Sequence, residues 1–131
     1  MSKSAPPPRP TDAELAILEV LWQRGPSTVR EVHEALAERQ TGYTTVLKLM
    51  QIMVDKRLLA RDEAQRSHVY RALVDQERTR RRLVAELVDK VFGGSAAQLV
   101  MHALSDEKAT PAELAEIRGV IEDYEKKRGA R

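Results

Sequence analysis

Between Thr11 and Lys56, apolar positions recur every three or four residues and two short polar breaks interrupt them, the spacing of helices with one buried face. "TDAE" has the form of a capping box, with the Thr11 hydroxyl placed to accept from the Glu14 backbone N–H while the Glu14 side chain reaches back. It opens a helix of about 12 residues with the stripe Leu15, Leu18, Val20, Leu21 and Trp22. "RGP" at 24–26 ends it, since Gly25 can take positive φ and Pro26 cannot continue a helix. A second helix begins with Ser27 or Thr28 as N-cap, carries Val29, Val32 and Leu36, and runs to near Arg39. After "QTG" a third spans 43–56. On its wheel Val46, Leu49, Met50 and Met53 face a core, and Thr44, Lys48, Gln51 and Asp55 lie opposite.

The period then changes. "LLARDEAQRSHVYRALV" starts apolar, turns through a polar run and returns rich in β-type residues, which predicts a hairpin although no Gly marks its turn. Three short helices followed by a hairpin is a winged helix-turn-helix. Asp75 caps a fourth helix to about Phe92, with the stripe Leu83, Val84, Leu87, Val88, Val91 and Phe92 before Gly93-Gly94. A fifth spans 95 to about 104. "TPAE" at 110–113, another capping box with Pro111 at the first helical position, opens a sixth with Leu114, Ile117, Val120, Ile121 and Tyr124. The expected class is therefore mostly α: a tail over 1–10, a winged helix over 11–74 and a three-helix region over 75–131. Those last helices carry too few large side chains for a core of their own, so pairing with a second copy, a homodimer, is the expected way to cover them. Leu83, Leu87, Val91, Leu99, Leu114, Ile117 and Ile121 are the expected interface residues.

Composition narrows the classes. With 42% hydrophobic and 32% charged residues the chain is globular rather than disordered. Its first ten residues lack the apolar stretch of a secretory signal, and no run approaches the roughly 18 apolar residues of a membrane span, so a cytoplasmic location is expected. The absence of Cys excludes disulfides and thiolate metal sites. The net charge is only +2, but residues 39–73 hold seven Lys or Arg against three acids, a local excess of +4. Basic charge gathered on one candidate face is the electrostatic footprint of a nucleic-acid binder.

The third helix supplies the chemistry such a face needs. A helix laid in the major groove wants short side chains at its N-terminal end for close approach, hydroxyls for phosphates or base edges, and methyls for thymine. Thr44 and Thr45 offer both, Lys48 and Gln51 reach further along the same helix, and Tyr43 can donate to a phosphate at the positive end of the helix dipole. On the wing, Arg61, Arg66, Ser67 and Arg71 are the expected contacts to flanking backbone. His33, His68 and His102 lie in different elements without metal-ligand spacing, and neither a Gly-rich phosphate loop nor a nucleophile elbow is present. No enzyme, metal or other cofactor is expected. A winged helix can also serve as a protein-interaction module that does not bind DNA, and fold alone does not separate the two.

"TDAELAILEVLW", "YTTVLKLMQIMVDKRLL", "HVYRALV" and "VDKVFGGSAAQLV", in this order, resemble the penicillinase repressor family, the BlaI and MecI type of winged helix regulators, from Thr11 to Tyr124. The resemblance implies a dimer whose N-terminal domains bind a palindromic double-stranded operator, with Thr44, Thr45 and Lys48 at recognition-helix positions. In the family's β-lactam-responsive members release comes from cleavage in the C-terminal domain, so the resemblance implies release by proteolysis, with a membrane sensor-protease as upstream partner, or by another signal. The bond cut in the family's β-lactam-responsive members is Asn-Phe, and the matching place here is His102-Ala103 in "MHAL". Copper-responsive relatives carry paired cysteines near the C-terminus, which this chain lacks.

Overall fold

In the computed structural model, residues 7–105 and 109–129 are described. The chain forms α1 (Asp12–Arg24), α2 (Val29–Ala35), a 3-10 turn (Ala37–Arg39), α3 (Tyr43–Asp55), β1 (Leu59–Asp62), β2 (Val69–Ala72), α4 (Gln76–Val91), α5 (Ala96–Ser105) and α6 (Pro111–Gly129). Two compact units divide between Leu83 and Val84, inside α4. The first turns of α4 thus belong with the winged helix, further along than the division drawn at Val74.

The first unit is built around local caps and one shared core. Thr11 accepts from Glu14 N at 3.1 Å while Glu14 Oε1 accepts from Thr11 N at 3.0 Å, and Thr28 with Glu31 repeats the arrangement at the start of α2. Between them Gly25, at φ 84°, takes the turn that an L side chain disfavours. Ile17, Leu18 and Leu21 of α1, Val29 and Val32 of α2, Val46, Met50 and Met53 of α3, and Leu58, Leu59 and Tyr70 of the hairpin region are buried together. Leu49, expected in that core, is half-buried against it.

The hairpin pairs antiparallel, Leu59 with Ala72 through Asp62 with Val69. Asp62 Oδ1 accepts from Ala64 N at 2.9 Å, an Asx turn that does the work a glycine would otherwise do. Ser27 adds a third strand-like rung: it exchanges backbone hydrogen bonds with Tyr70 at 2.9 and 2.8 Å, so the stem of the wing is tied to the entry of α2. Helix 2 is shorter than its periodicity suggests. It stops at Ala35, passes through the 3-10 turn and reverses at Gln40, which sits in the left-handed region at φ 57°.

Within this unit the Trp22 indole N–H donates to Val74 O at 3.0 Å, just ahead of α4, and Arg82 in the first turns of α4 donates to Pro7 O at 2.6 Å. Pro7 and Pro10, the end of the expected tail, are accordingly half-buried; residues 1–6 lie outside the described part. Glu14 is the buried charge of the core, 2% exposed, with Lys56 Nζ 2.7 Å from its Oε2. Burial pushes the Glu14 carboxyl up, but hydrogen bonds from Lys56 and Thr11 and the Lys56 charge outweigh it, and its pKa falls below the ordinary 4.5. A depressed carboxylate contributes stability above its unfolded pKa and loses it as pH falls through the folded value. Removing one partner of such a pair leaves a buried uncompensated charge. Lys56→Met is therefore expected to cost about 1–3 kcal/mol at pH 7 in urea unfolding, the range discounted because Lys56 is partly exposed. The deficit should narrow as the pH falls, because a Glu14 left buried without Lys56 has its carboxyl pushed up and takes up a proton before the paired one does. A deficit that is constant with pH would show that the pair does not carry the effect.

In the second unit, Ser95 accepts from Gln98 N at 3.1 Å to start α5, and Thr110 and Glu113 form the expected capping box of α6. None of the described residues of α5 or α6 is buried.

Candidate nucleic-acid interface

α3 presents two faces. Val46, Met50 and Met53 are buried, whereas Thr44, Lys48, Gln51 and Asp55 are exposed, as their spacing predicts, and Thr45 beside them is exposed as well. Gly42 caps the helix in extended backbone without a side-chain hydrogen bond, so nothing bulky stands before the first turn. Tyr43, the first residue of α3, is 47% exposed.

Beside this helix lies an open groove of about 470 Å³ lined by α2, α3 and the wing. Tyr43 and Leu47 form its α3 side, Arg66, Ser67 and His68 its wing side, and Thr28 and Arg30 its α2 side. No carboxylate lines it. Two guanidiniums, hydroxyls and an imidazole around a groove without acids form a surface that attracts an extended polyanion. It is neither enclosed nor flat, and Tyr43 and Arg66 face it from two different elements.

The nine residues expected to meet DNA divide three ways. Tyr43, Arg66 and Ser67 come together at the groove, and Thr44, Thr45, Lys48 and Gln51 line the adjoining exposed face of α3. Arg61 and Arg71 sit elsewhere. Arg61 donates from Nε to Glu63 Oε2 at 2.7 Å, and the Tyr70 phenol and Glu63 together hold the guanidinium charged beyond its usual range. It braces the wing. Arg71 lines a separate hollow with Trp22 and Pro26. The +4 excess is therefore not all available to a partner, because Lys56 is paired with Glu14 and Arg61 with Glu63.

Thr28, Arg30 and His68 were not among the residues expected to meet DNA. Arg30 falls before the basic stretch that begins at Arg39, and the Ser27–Tyr70 pairing just ahead of α2 ties its entry to the wing. The signal available was weak: Arg30 lies between the core positions Val29 and Val32, on the outward side of α2.

In the second unit, Leu87, Val91 and Ile121 are 42%, 64% and 49% exposed, and Val120 and Tyr124 are exposed as well. Leu99, Leu114 and Ile117 are half-buried. Leu83 falls in the first unit, where it lines a small cavity with Leu58, Val74 and the N-terminal prolines. His102 and Ala103 are exposed but helical, inside α5; the His102 ring is 5.3 Å from that of Phe92, and its Nδ1 lies 2.9 Å from Gln98 O. Among the described residues no cluster of three or more His, Asp or Glu could hold a metal ion, and no helix is long and apolar enough to cross a membrane.

The family model described as penicillinase repressor matches residues 10–123 of this chain. Two relatives named Transcriptional regulator BlaI, from Mycobacterium tuberculosis strains CDC 1551 / Oshkosh and ATCC 25618 / H37Rv, are each 44% identical over 61 residues, 45% of this chain and 44% of theirs. The chain thus spans less than half the length of these relatives in the match. Similarity to the Penicillinase repressor of Staphylococcus aureus is lower but longer, 20% identity over 116 residues, 88% of this chain and 92% of that one.

Proposed function

The chain belongs to the penicillinase repressor family, and from that premise we propose that it is a transcriptional repressor, a homodimer that occupies a two-fold symmetric operator in double-stranded DNA. The observation that carries the reading is the acid-free groove with Tyr43, Arg30, Arg66, Ser67 and His68 on its walls, beside the exposed Thr44, Thr45, Lys48 and Gln51. Phosphates along the groove supply affinity and orientation, and α3 reads base edges. The Thr side chains let the helix backbone approach, and Lys48 reaches a phosphate or a guanine edge one turn on. A two-fold dimer matches half-sites about one helical turn, roughly 10 bp, apart or a multiple of that. The exposed apolar side chains of the second unit support the dimer, for burying each valine- or leucine-sized side chain recovers about 1.5–3 kcal/mol.

The upstream partner implied by the resemblance, a membrane sensor-protease, would meet the His102-Ala103 bond within α5. Helical backbone is cut only after it opens locally, so a release step at that bond begins with unwinding of α5. No catalytic role is assigned to the chain itself.

The test is fluorescence anisotropy with a duplex taken from upstream of the protein's own gene and a scrambled duplex of equal length, at several salt concentrations. The genuine duplex is expected to bind more tightly, with a steep salt dependence. Lys48→Ala should weaken it and lower the slope of log K against log salt by about one if Lys48 neutralises a phosphate. No binding to any duplex would overturn the reading in favour of a protein-interaction module.

A further inference from the structure

We infer that His33 is a positioning residue for Tyr43, holding its ring at the mouth of the groove so that the phenol is already placed when a phosphate arrives. This rests on the DNA-binding reading above. The two rings meet edge to face, 5.8 Å between centroids at an interplanar angle of 79°, within the favoured range for a T-shaped pair. They come from opposite sides of the break between α2 and α3: His33 lies in the last turn of α2, and Tyr43 is the first residue of α3. The 3-10 turn Ala37–Arg39 and the left-handed Gln40 fold the chain back so that these residues meet.

Tyr43 needs such support. Gly42, its N-cap, contributes no side chain to the start of α3, and Tyr43 is 47% exposed even though it lines the groove with Arg30 and Arg66. A half-exposed tyrosine samples several rotamers, and ordering one of them on binding weakens affinity. Apparent affinity scales with the fraction of molecules already in the competent arrangement. A T-shaped partner biases that fraction by about two- to tenfold. His33 is half-buried and does not line the groove, so its influence on DNA passes through Tyr43.

The test is a double-mutant cycle with a conservative rescue. Duplex affinity is measured by anisotropy for wild type, His33→Ala, His33→Phe, Tyr43→Ala and His33→Ala/Tyr43→Ala, with melting curves to confirm folding. The Tyr43 ring resonances are followed by NMR in the free protein. His33→Ala is expected to weaken binding about two- to tenfold, His33→Phe to restore it, and His33→Ala to have no further effect once Tyr43 is gone. The Tyr43 ring signals should move in free His33→Ala. Additive losses in the cycle, failure of His33→Phe to rescue, or unmoved ring signals would each overturn the role. Wild type that binds no duplex overturns both this role and the DNA reading, and that arm distinguishes the two failures.

Discussion

Leu87→Asp is expected to halve the mass of the particle in light scattering and to weaken operator binding by roughly a hundredfold or more. Leu87 is 42% exposed in a unit whose α5 and α6 bury no described residue, so in the proposed dimer its cover comes from the second copy. Losing a leucine from that seam forfeits about 1.5–3 kcal/mol, and a carboxylate in its place adds the cost of desolvating a charge. A two-fold interface contains the substitution twice. The combined penalty of several kcal/mol corresponds to about a thousandfold or more in the dimer dissociation constant. Operator affinity follows, because a monomer holds one half-site and forfeits the effective concentration that linkage gives the second. Leu87 takes no part in the buried cluster of the winged helix, so the melting of that unit should persist. Asp89→Ala, an exposed polar position on the same helix, is the control and should leave the mass unchanged. A Leu87→Asp protein that stays dimeric would refute the interface.

What was legible in advance was mostly local. Capping boxes are four-residue signals, and those at Thr11 and Thr110 appear where "TDAE" and "TPAE" stand. The outward face of α3 could be read because helical spacing alone separates Thr44, Lys48 and Gln51 from Val46, Met50 and Met53. Long-range pairing was harder to see. Glu14 precedes Ile17, Leu18 and Leu21 by three, four and seven residues, which puts a carboxylate on the apolar stripe, but its partner Lys56 arrives only through folding. Arg61 was expected among the DNA contacts from its own charge, and its pairing with Glu63 was not part of that expectation. Glu63, two residues on and just beyond the end of β1, pairs with it. The meeting of Arg30 and His68 at one groove likewise depends on a tertiary contact that no spacing rule expresses.

That distinction between available and committed charge sets the second large effect. Arg30→Glu/Arg66→Glu is expected to abolish measurable duplex binding, a loss of roughly a thousandfold at low salt, while melting and dimer mass are retained. Both side chains are exposed, and neither takes part in an ion pair of the described residues as Lys56 and Arg61 do. Each substitution removes a cation from a groove that holds no carboxylate and installs an anion facing the phosphates, so attraction is replaced by repulsion at two points along one path. Raising the salt should shrink the difference from wild type, because screening weakens both the lost attraction and the new repulsion. Arg61→Ala is the informative contrast. Its guanidinium is already held by Glu63 and Tyr70, so its loss should loosen the wing and lower the melting temperature with little change in the salt slope of DNA binding. If Arg61→Ala instead lowered that slope as much as Arg66→Ala, the phosphate path would run along the stem of the wing rather than through the groove beside Tyr43.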